Sequence, residues 1–441
     1  MAVEFDENVY IFAEVWYKCI AEANMSTLFF RSNAVNTHWD TWLFRNDGKF
    51  YLYYLSEING RWGGFGVAES DDGVRWKDHG LALTSSEKMV DFLGTGSVWK
   101  SPDFDRDKTF IANFSEWQYV KEGDKRQRIF FAVSRDLVHW EKTDEVFDID
   151  EKLYEPKGRW DCIYPIERSE GGYYGTWTAT PKGREDKNGG IGFGYSEDGL
   201  HWHAMESNGI FPDADESGAI VKKDGKYYGM FGLFGTGMIG YKADSVNGPY
   251  TRCAENTVML PFESTYFSRF LQTEDELLVN HHAITRFRAD SGFSHCYMAP
   301  LKKAEIFNES IHLKYWHGND KVKSFGVVKE RDFAADACHF IEGAIKDGDV
   351  ISFGAESKTF IKYEKGRIEI TSETDDDKVR SADIADKGYT AEGDASIIIL
   401  HKDSVFEVYV NEVYMTSYSM PCHFDGKITL CGQTVWECED F

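Results

Sequence analysis

Apolar and polar positions along this chain recur as one phrase, written five times. Each copy opens with a short polar lead-in, continues as an apolar strand, turns, and returns as an aromatic strand. The copies begin at Trp39-Asp40-Thr41-Trp42, Gly96-Ser97-Val98-Trp99, Asp161-Cys162-Ile163-Tyr164, Glu216-Ser217-Gly218-Ala219 and Phe267-Ser268-Arg269-Phe270. The clearest pair of strands is Trp42 to Tyr54, with Asp47-Gly48 at its turn; Ala219 to Phe231, with Asp224-Gly225, repeats it. Asp-Gly between two β-rich runs is the strongest short hairpin signal.

A second hairpin follows each first one. Gly64–Trp76, Phe131–Trp140 and Ile191–Trp202 share a strand, a Ser-x-Asp turn and a closing Trp; Gly240–Ala243 and Tyr297–Pro300 are weaker forms. Two hairpins make four antiparallel strands, and five such units describe a five-bladed β-propeller rather than a sandwich with repetitive turns. The repeat ends near Trp316. Beyond it, runs such as Val350–Gly354, Ala395–Leu400 and Val405–Val410 read as short strands of a β-sandwich. The expected organisation is an N-terminal extension over 1–35, a propeller over 36–318 and a sandwich over 319–441. Within the extension, Val9–Tyr17 reads as a strand that either closes the ring or packs beside it.

Inner strands of a propeller all run the same way, so equivalent lead-ins meet at one mouth of the central channel. Asp40, Asp161 and Glu216 therefore converge in this reading. Two carboxyls flanking a glycosidic bond are hydrolytic machinery: one protonates the leaving oxygen, the other attacks the anomeric carbon or activates water. Asp40, short and fixed at a strand start, suits the nucleophile or base. Glu216, longer, suits the acid, with the neighbouring Asp40 and Asp161 charges raising its pKa. Asp161 would bind hydroxyls and stabilise the oxocarbenium-like state. Trp39, Trp42 and Trp160 beside the acids are candidate sugar-stacking faces, and Trp99 and Trp117 in blade two are candidates either for stacking or for blade packing. Arg269 either binds substrate or neutralises the acids. The pair His281-His282 reads as inter-strand packing.

Composition narrows the partners. The 441 residues carry a formal net charge of −25, which repels nucleic acid and anionic membranes, and 15% of them are aromatic. The start of the chain has no basic n-region followed by an apolar core, and no run is long enough to span a bilayer. The 8 cysteines include no Cys-x-x-Cys, which points to free thiols and a cytoplasmic setting, with neither metal nor cofactor expected. With the paired carboxyls, a small oligosaccharide or glycoside is the expected partner.

With its acids and strands in this order, the chain resembles the five-bladed sugar hydrolases of the glycoside hydrolase family 32, 68 and 43 superfamily. It is most similar to family 32, the invertase and fructanase group, which adds a C-terminal β-sandwich. The resemblance implies a retaining β-fructofuranosidase with Asp40 as nucleophile, Asp161 as transition-state stabiliser and Glu216 as acid/base. It also makes Ser97 a substrate-contact candidate. The family's Asn-Asp-Pro-Asn, Arg-Asp-Pro and Glu-Cys are replaced by Trp39-Asp40-Thr41-Trp42, Trp160-Asp161-Cys162 and Glu216-Ser217. The reaction class survives that change. Fructosyl transfer, a family 43-like arabinofuranosidase or xylosidase with inversion, and a non-catalytic sugar-binding propeller stay open.

Overall fold

The computed structural model describes residues 25–440, apart from 185–188, 212, 256–257, 356, 375–378 and 391–392. Five antiparallel sheets form in the order of the sequence repeat. Their inner strands are His38–Asn46, Met89–Lys100, Trp160–Glu167, Glu216–Lys223 and Ser268–Gln272. Each packs on the next, and the fifth returns to the first, so the ring closes as a five-bladed propeller.

Large buried rings fill the spaces between blades. Trp99 meets Trp202 edge-on at 5.8 Å between blades two and three, and Trp160 packs against Trp177 at 5.1 Å. The Ser-x-Asp turns act as local clamps. In blade three the Ser196 hydroxyl accepts the Gly199 N–H, and Asp198 Oδ1 accepts the N–H groups of Leu200 and His201. Trp202 is thereby delivered to the interface at a fixed angle. The device recurs at Asp72 and Asp136, which explains its repetition in sequence.

The segment preceding blade one latches the ring. Met25–Thr27 adds as a fifth, outermost strand to blade one, and Phe30 bridges Met298 in blade five. The strand expected at Val9–Tyr17 lies outside the described residues.

After Tyr315, two short helical turns over His317–Phe325 lead into two facing sheets. One holds Cys338–Ile345, Ala395–Lys402, Val405–Val410, Val413–Ser419, Thr434–Cys438 and the edge strand Val327–Lys329; the other holds Val350–Phe353, Thr359–Glu364, Arg367–Ser372, Arg380–Asp383 and Ile428–Thr429. Ile351, Ile361, Ile397, Phe406 and Val408 lie between them, buried. This is the expected β-sandwich. It is joined to blade five through the strand Ser310–Tyr315, where Lys314 pairs with Val413.

Candidate active site

The inner strands of blades one to four share one irregularity. In each, two residues oppose a single residue of the next strand: Asp40-Thr41 face Tyr54, Gly96-Ser97 face Asn113, Cys162-Ile163 face Trp177, and Ser217-Gly218 face Phe231. Such a bulge bends a strand and re-aims its side chains. Asp40 (φ 41°) and Cys162 (φ 33°) take the left-handed conformation there, which side chains with a Cβ adopt at a cost of about 1–3 kcal/mol. At Gly218 a Cβ would lie 1.5 Å from the Met230 carbonyl oxygen, so only glycine fits.

The bulges also correct the alignment of the copies. Asp161 and Glu216 stand one residue before the bulge, the place that Trp39 takes in blade one and Thr95 in blade two. Asp40 is one step further on, inside the bulge. The blade-two phrase likewise begins at Thr95, not Gly96. That shift turns Trp99 into the inter-blade core.

The three acids come together at the strand starts. One guanidinium nitrogen of Arg159 lies 2.7 Å from Asp161 Oδ2 and 3.1 Å from Glu216 Oε1. Asp40 feels the charges of both Glu216 and Asp161, and those of Arg269 and Arg159. Burial pushes its carboxyl up to about 7; Arg269 opposes the rise and the two carboxylates add to it. Asp161 behaves oppositely. Burial alone would raise it, but the Arg159 cation and the Ser115 and Cys162 hydrogen bonds outweigh burial and hold it below the usual carboxylate range. Ser115 Oγ donates to Asp161 Oδ1 at 2.5 Å and accepts from Gln127 Nε2 at 2.9 Å. The Cys162 thiol stands 3.0 Å from the same carboxyl oxygen. Glu216 Oε2 accepts the Tyr266 hydroxyl at 2.6 Å.

Arg269 is buried in the channel, its guanidinium carbon 3.8 Å from the Trp42 ring centroid and 3.3 Å from that of Phe267. Burial brings its pKa down to about 10 against the pull of Asp40 and Glu216, so it stays cationic at neutral pH. His282 supports the Asp40 bulge from blade five: its Nε2 accepts the Thr41 N–H at 3.3 Å, its Nδ1 donates to the Tyr266 carbonyl at 2.7 Å, and its ring lies 4.4 Å from that of Trp39. Asn280 Nδ2 donates to both oxygens of Thr41 at 2.9 Å.

The other candidates divide. Trp39 opens onto a cavity of about 790 Å³ between propeller and sandwich, shared with Phe262, Tyr266, Arg286, Arg380 and Tyr418. Trp117 is half-buried on the second strand of blade two. Trp42, Trp99 and Trp160 do not present free faces: they are 3%, 2% and 0% exposed, and Trp42 and Trp160 donate their indole N–H to the Thr95 and Phe147 carbonyls. Ser97 spends its hydroxyl on the Ile163 carbonyl at 2.6 Å. Among the described residues no His, Cys, Asp and Glu group could hold a metal ion.

Sequence reading missed Arg159, Ser115 and Tyr266. Arg159 had a signal: an arginine two residues before the blade-three acid, while Trp160 fills the place where the resemblance puts one. Ser115 and Tyr266 had none, because neither lies in a lead-in.

Neither a family model nor a curated protein sequence matches the chain. Solved structures do. A family 32 β-fructofuranosidase from Bombyx mori, in complex with sucrose, is 12% identical, covers 98% of this chain and 96% of its own, and superposes with a TM-score of 0.67. The fructan 1-exohydrolase IIa from Cichorium intybus, in complex with 1-kestose, gives 10%, 94% and 98%, and 0.64. The exo-inulinase from Aspergillus awamori gives 12%, 94% and 98%, and 0.62. The chain thus has the family 32 fold over almost its whole length.

Proposed function

We propose that this protein is a glycoside hydrolase that releases terminal fructose from short β-fructofuranosides with retention of configuration. One observation carries the reading: three acids from blades one, three and four meet at one mouth of the channel, two of them bridged by a single arginine. The sucrose and 1-kestose bound by proteins of the same fold support the substrate class.

Asp40 carries the nucleophile role. Its carboxylate attacks the anomeric carbon as the glycosidic C–O bond breaks, and Glu216 gives its proton to the departing oxygen. Glu216 then takes a proton from water, whose oxygen displaces Asp40 and restores the acid. Glu216 is the more accessible of the bridged acids, with 17% of its side chain exposed against 8% for Asp161, which suits exchange with a leaving group. Asp161, kept ionised, faces the positive charge that develops on the ring. Arg159 is placed to bind sugar hydroxyls while it holds both acids.

The test is turnover of sucrose, 1-kestose and inulin, with nitrophenyl arabinofuranoside and xyloside as controls. Asp40→Asn and Glu216→Gln should each lower kcat by at least about 10²-fold, the low end for a positioned acid or base. NMR of the first-formed anomer checks retention. Full activity in either variant would overturn the roles; turnover of the pentosides alone would overturn the sugar.

A further inference from the structure

A β-bulge leaves a residue of its strand unpaired in its own ladder, and a buried N–H needs a partner. Three of the bulges carry or adjoin an acid. In each of them a bulge N–H is taken by a side chain of the preceding blade. The Thr41 N–H, beside Asp40, is accepted by His282 Nε2 of blade five at 3.3 Å. The Ile163 N–H, two residues after Asp161, is accepted by Asn113 Oδ1 of blade two at 2.7 Å. The Ser217 N–H, next to Glu216, is accepted by Thr178 Oγ1 of blade three at 3.0 Å.

The three acceptors share one arrangement. Each lies on the second strand of its blade, with another polar residue two positions away and therefore on the same face. Those companions grip the same neighbours. Asn280 donates to the Thr41 carbonyl and hydroxyl oxygens, Ser115 donates to Asp161 itself, and Thr176 accepts the Ser217 hydroxyl at 3.2 Å. All six side chains are buried. The pairs stand on blades two, three and five, which precede the three blades with acids. Blades one and four precede blades without one. There, Tyr53 and Leu55 join Val98 of blade two in an apolar cluster, and the Met230 thioether meets the Ser268 hydroxyl at 3.6 Å. The placement of the polar pairs follows the acids.

We propose that Asn113, Thr178 and His282 are positioning residues for catalysis: each anchors the bulge of the following blade and so sets the aim of the acid in or beside it. The inference rests on the fructosidase reading and deepens it by assigning each acid a support in the preceding blade. Holding the bulge N–H fixes the backbone within two residues of the point where the carboxyl leaves the strand. A misplacement of about 1 Å there can cost about 10²-fold in rate.

The experiment compares kcat/KM on sucrose and on nitrophenyl β-fructofuranoside, whose phenolate departs without a proton. Thr178→Val keeps the shape of the side chain and removes the acceptor beside Glu216. Its loss should be roughly tenfold or more greater on sucrose, where the departing oxygen needs that proton. Thr178→Ser should recover most of it. His282→Asn removes the acceptor beside Asp40, which attacks either substrate, so it should lose roughly 10²-fold on both. His282→Gln, whose amide oxygen can stand where Nε2 does, should recover most of that loss. The two substrates are assayed on one preparation of each variant, so partial misfolding leaves their ratio unchanged. Equal losses on the two substrates in Thr178→Val, or full activity in Thr178→Val or His282→Asn, overturns the proposal alone. A wild-type protein inactive on both substrates overturns the fructosidase reading and this proposal with it.

Discussion

Tyr266, one residue before the blade-five lead-in, donates its hydroxyl to Glu216 Oε2 in blade four at 2.6 Å. Burial, and then the Glu216 charge, push the phenol well above its ordinary pKa, so it stays a donor at any working pH. A hydrogen bond to a charged group is worth about 1.5–3 kcal/mol. Tyr266→Phe removes it while keeping the ring against Phe262 and Phe267. The variant should still fold, with a lowered melting temperature, and lose about 10- to 100-fold in kcat/KM. Steady-state kinetics on sucrose beside a melting curve checks both.

Asp40 should make this site sensitive to pH near neutrality. Its carboxyl, pushed up to about 7 by burial, must be ionised to act as a nucleophile. The kcat/KM profile should therefore rise through about pH 7. Arg269 lowers Asp40 through its charge, so Arg269→Gln should move that acid limb to higher pH, and Arg269→Lys should move it less. Folding answers with the opposite sign. The folded state binds the proton between the unfolded pKa, near 3.8, and about 7, so stability falls as pH rises across that window. Asp40→Asn removes this penalty. Its melting temperature should exceed the wild type's at pH 8 and match it near pH 4.

The propeller was legible in sequence because four of the five blades carry an Asp-Gly or a Ser-x-Asp turn, and the Ser-x-Asp turns have a local hydrogen-bonding reason to be there. The three acids were legible because they head those repeats. Burial of individual tryptophans was not. Trp99 and Trp160 flank the site in sequence, but a two-residue bulge decides which way each ring points, and no residue type announces it. Asp40 and Cys162 take positive φ with ordinary side chains, so the signal glycine would have given is missing. Tyr266 and Ser115 reach the acids from neighbouring blades, a contact that exists only after the ring closes.

Gly94 on the inner strand of blade two provides a test of site geometry without altering any functional group. A Cβ there would lie 2.4 Å from Asp161 Oδ1, 2.7 Å from Ser115 Oγ and 3.2 Å from Cys162 Sγ. Real contacts of that kind do not occur, so Asp161 or Ser115 must move. Displacement by about 1 Å can cost about 10²-fold in rate. Gly94→Ala should therefore stay folded and lose activity on that scale. Gly123→Ala, at a turn with open space around it but positive φ, should lose stability and little activity. Equal kcat in Gly94→Ala and wild type would show that the Asp161 position is not under this constraint.

The sandwich bears on the propeller through a fully buried ion pair. Lys302 of blade five places its ammonium 2.7 and 2.8 Å from the two carboxyl oxygens of Glu407 in the sandwich. Tyr409 and Ser417 donate to the same carboxylate, and His281 Nε2 lies 3.1 Å from it. Burial alone would raise Glu407, but Lys302 and His281 outweigh it and hold the group below its usual range. A carboxyl depressed in this way contributes stability above its unfolded pKa, near 4.5, and loses it as pH falls toward the folded value. His281 is followed by His282, which holds the Asp40 bulge, so the pair sits one residue from a support of the site. Lys302→Met leaves a buried carboxylate without its cation, a loss of about 3–5 kcal/mol. The double variant Lys302→Met with Glu407→Leu removes both charges and should recover most of that loss. Chemical denaturation of the three proteins at pH 7 measures the difference. A single variant as stable as wild type would mean the pair contributes nothing to docking the sandwich on the propeller.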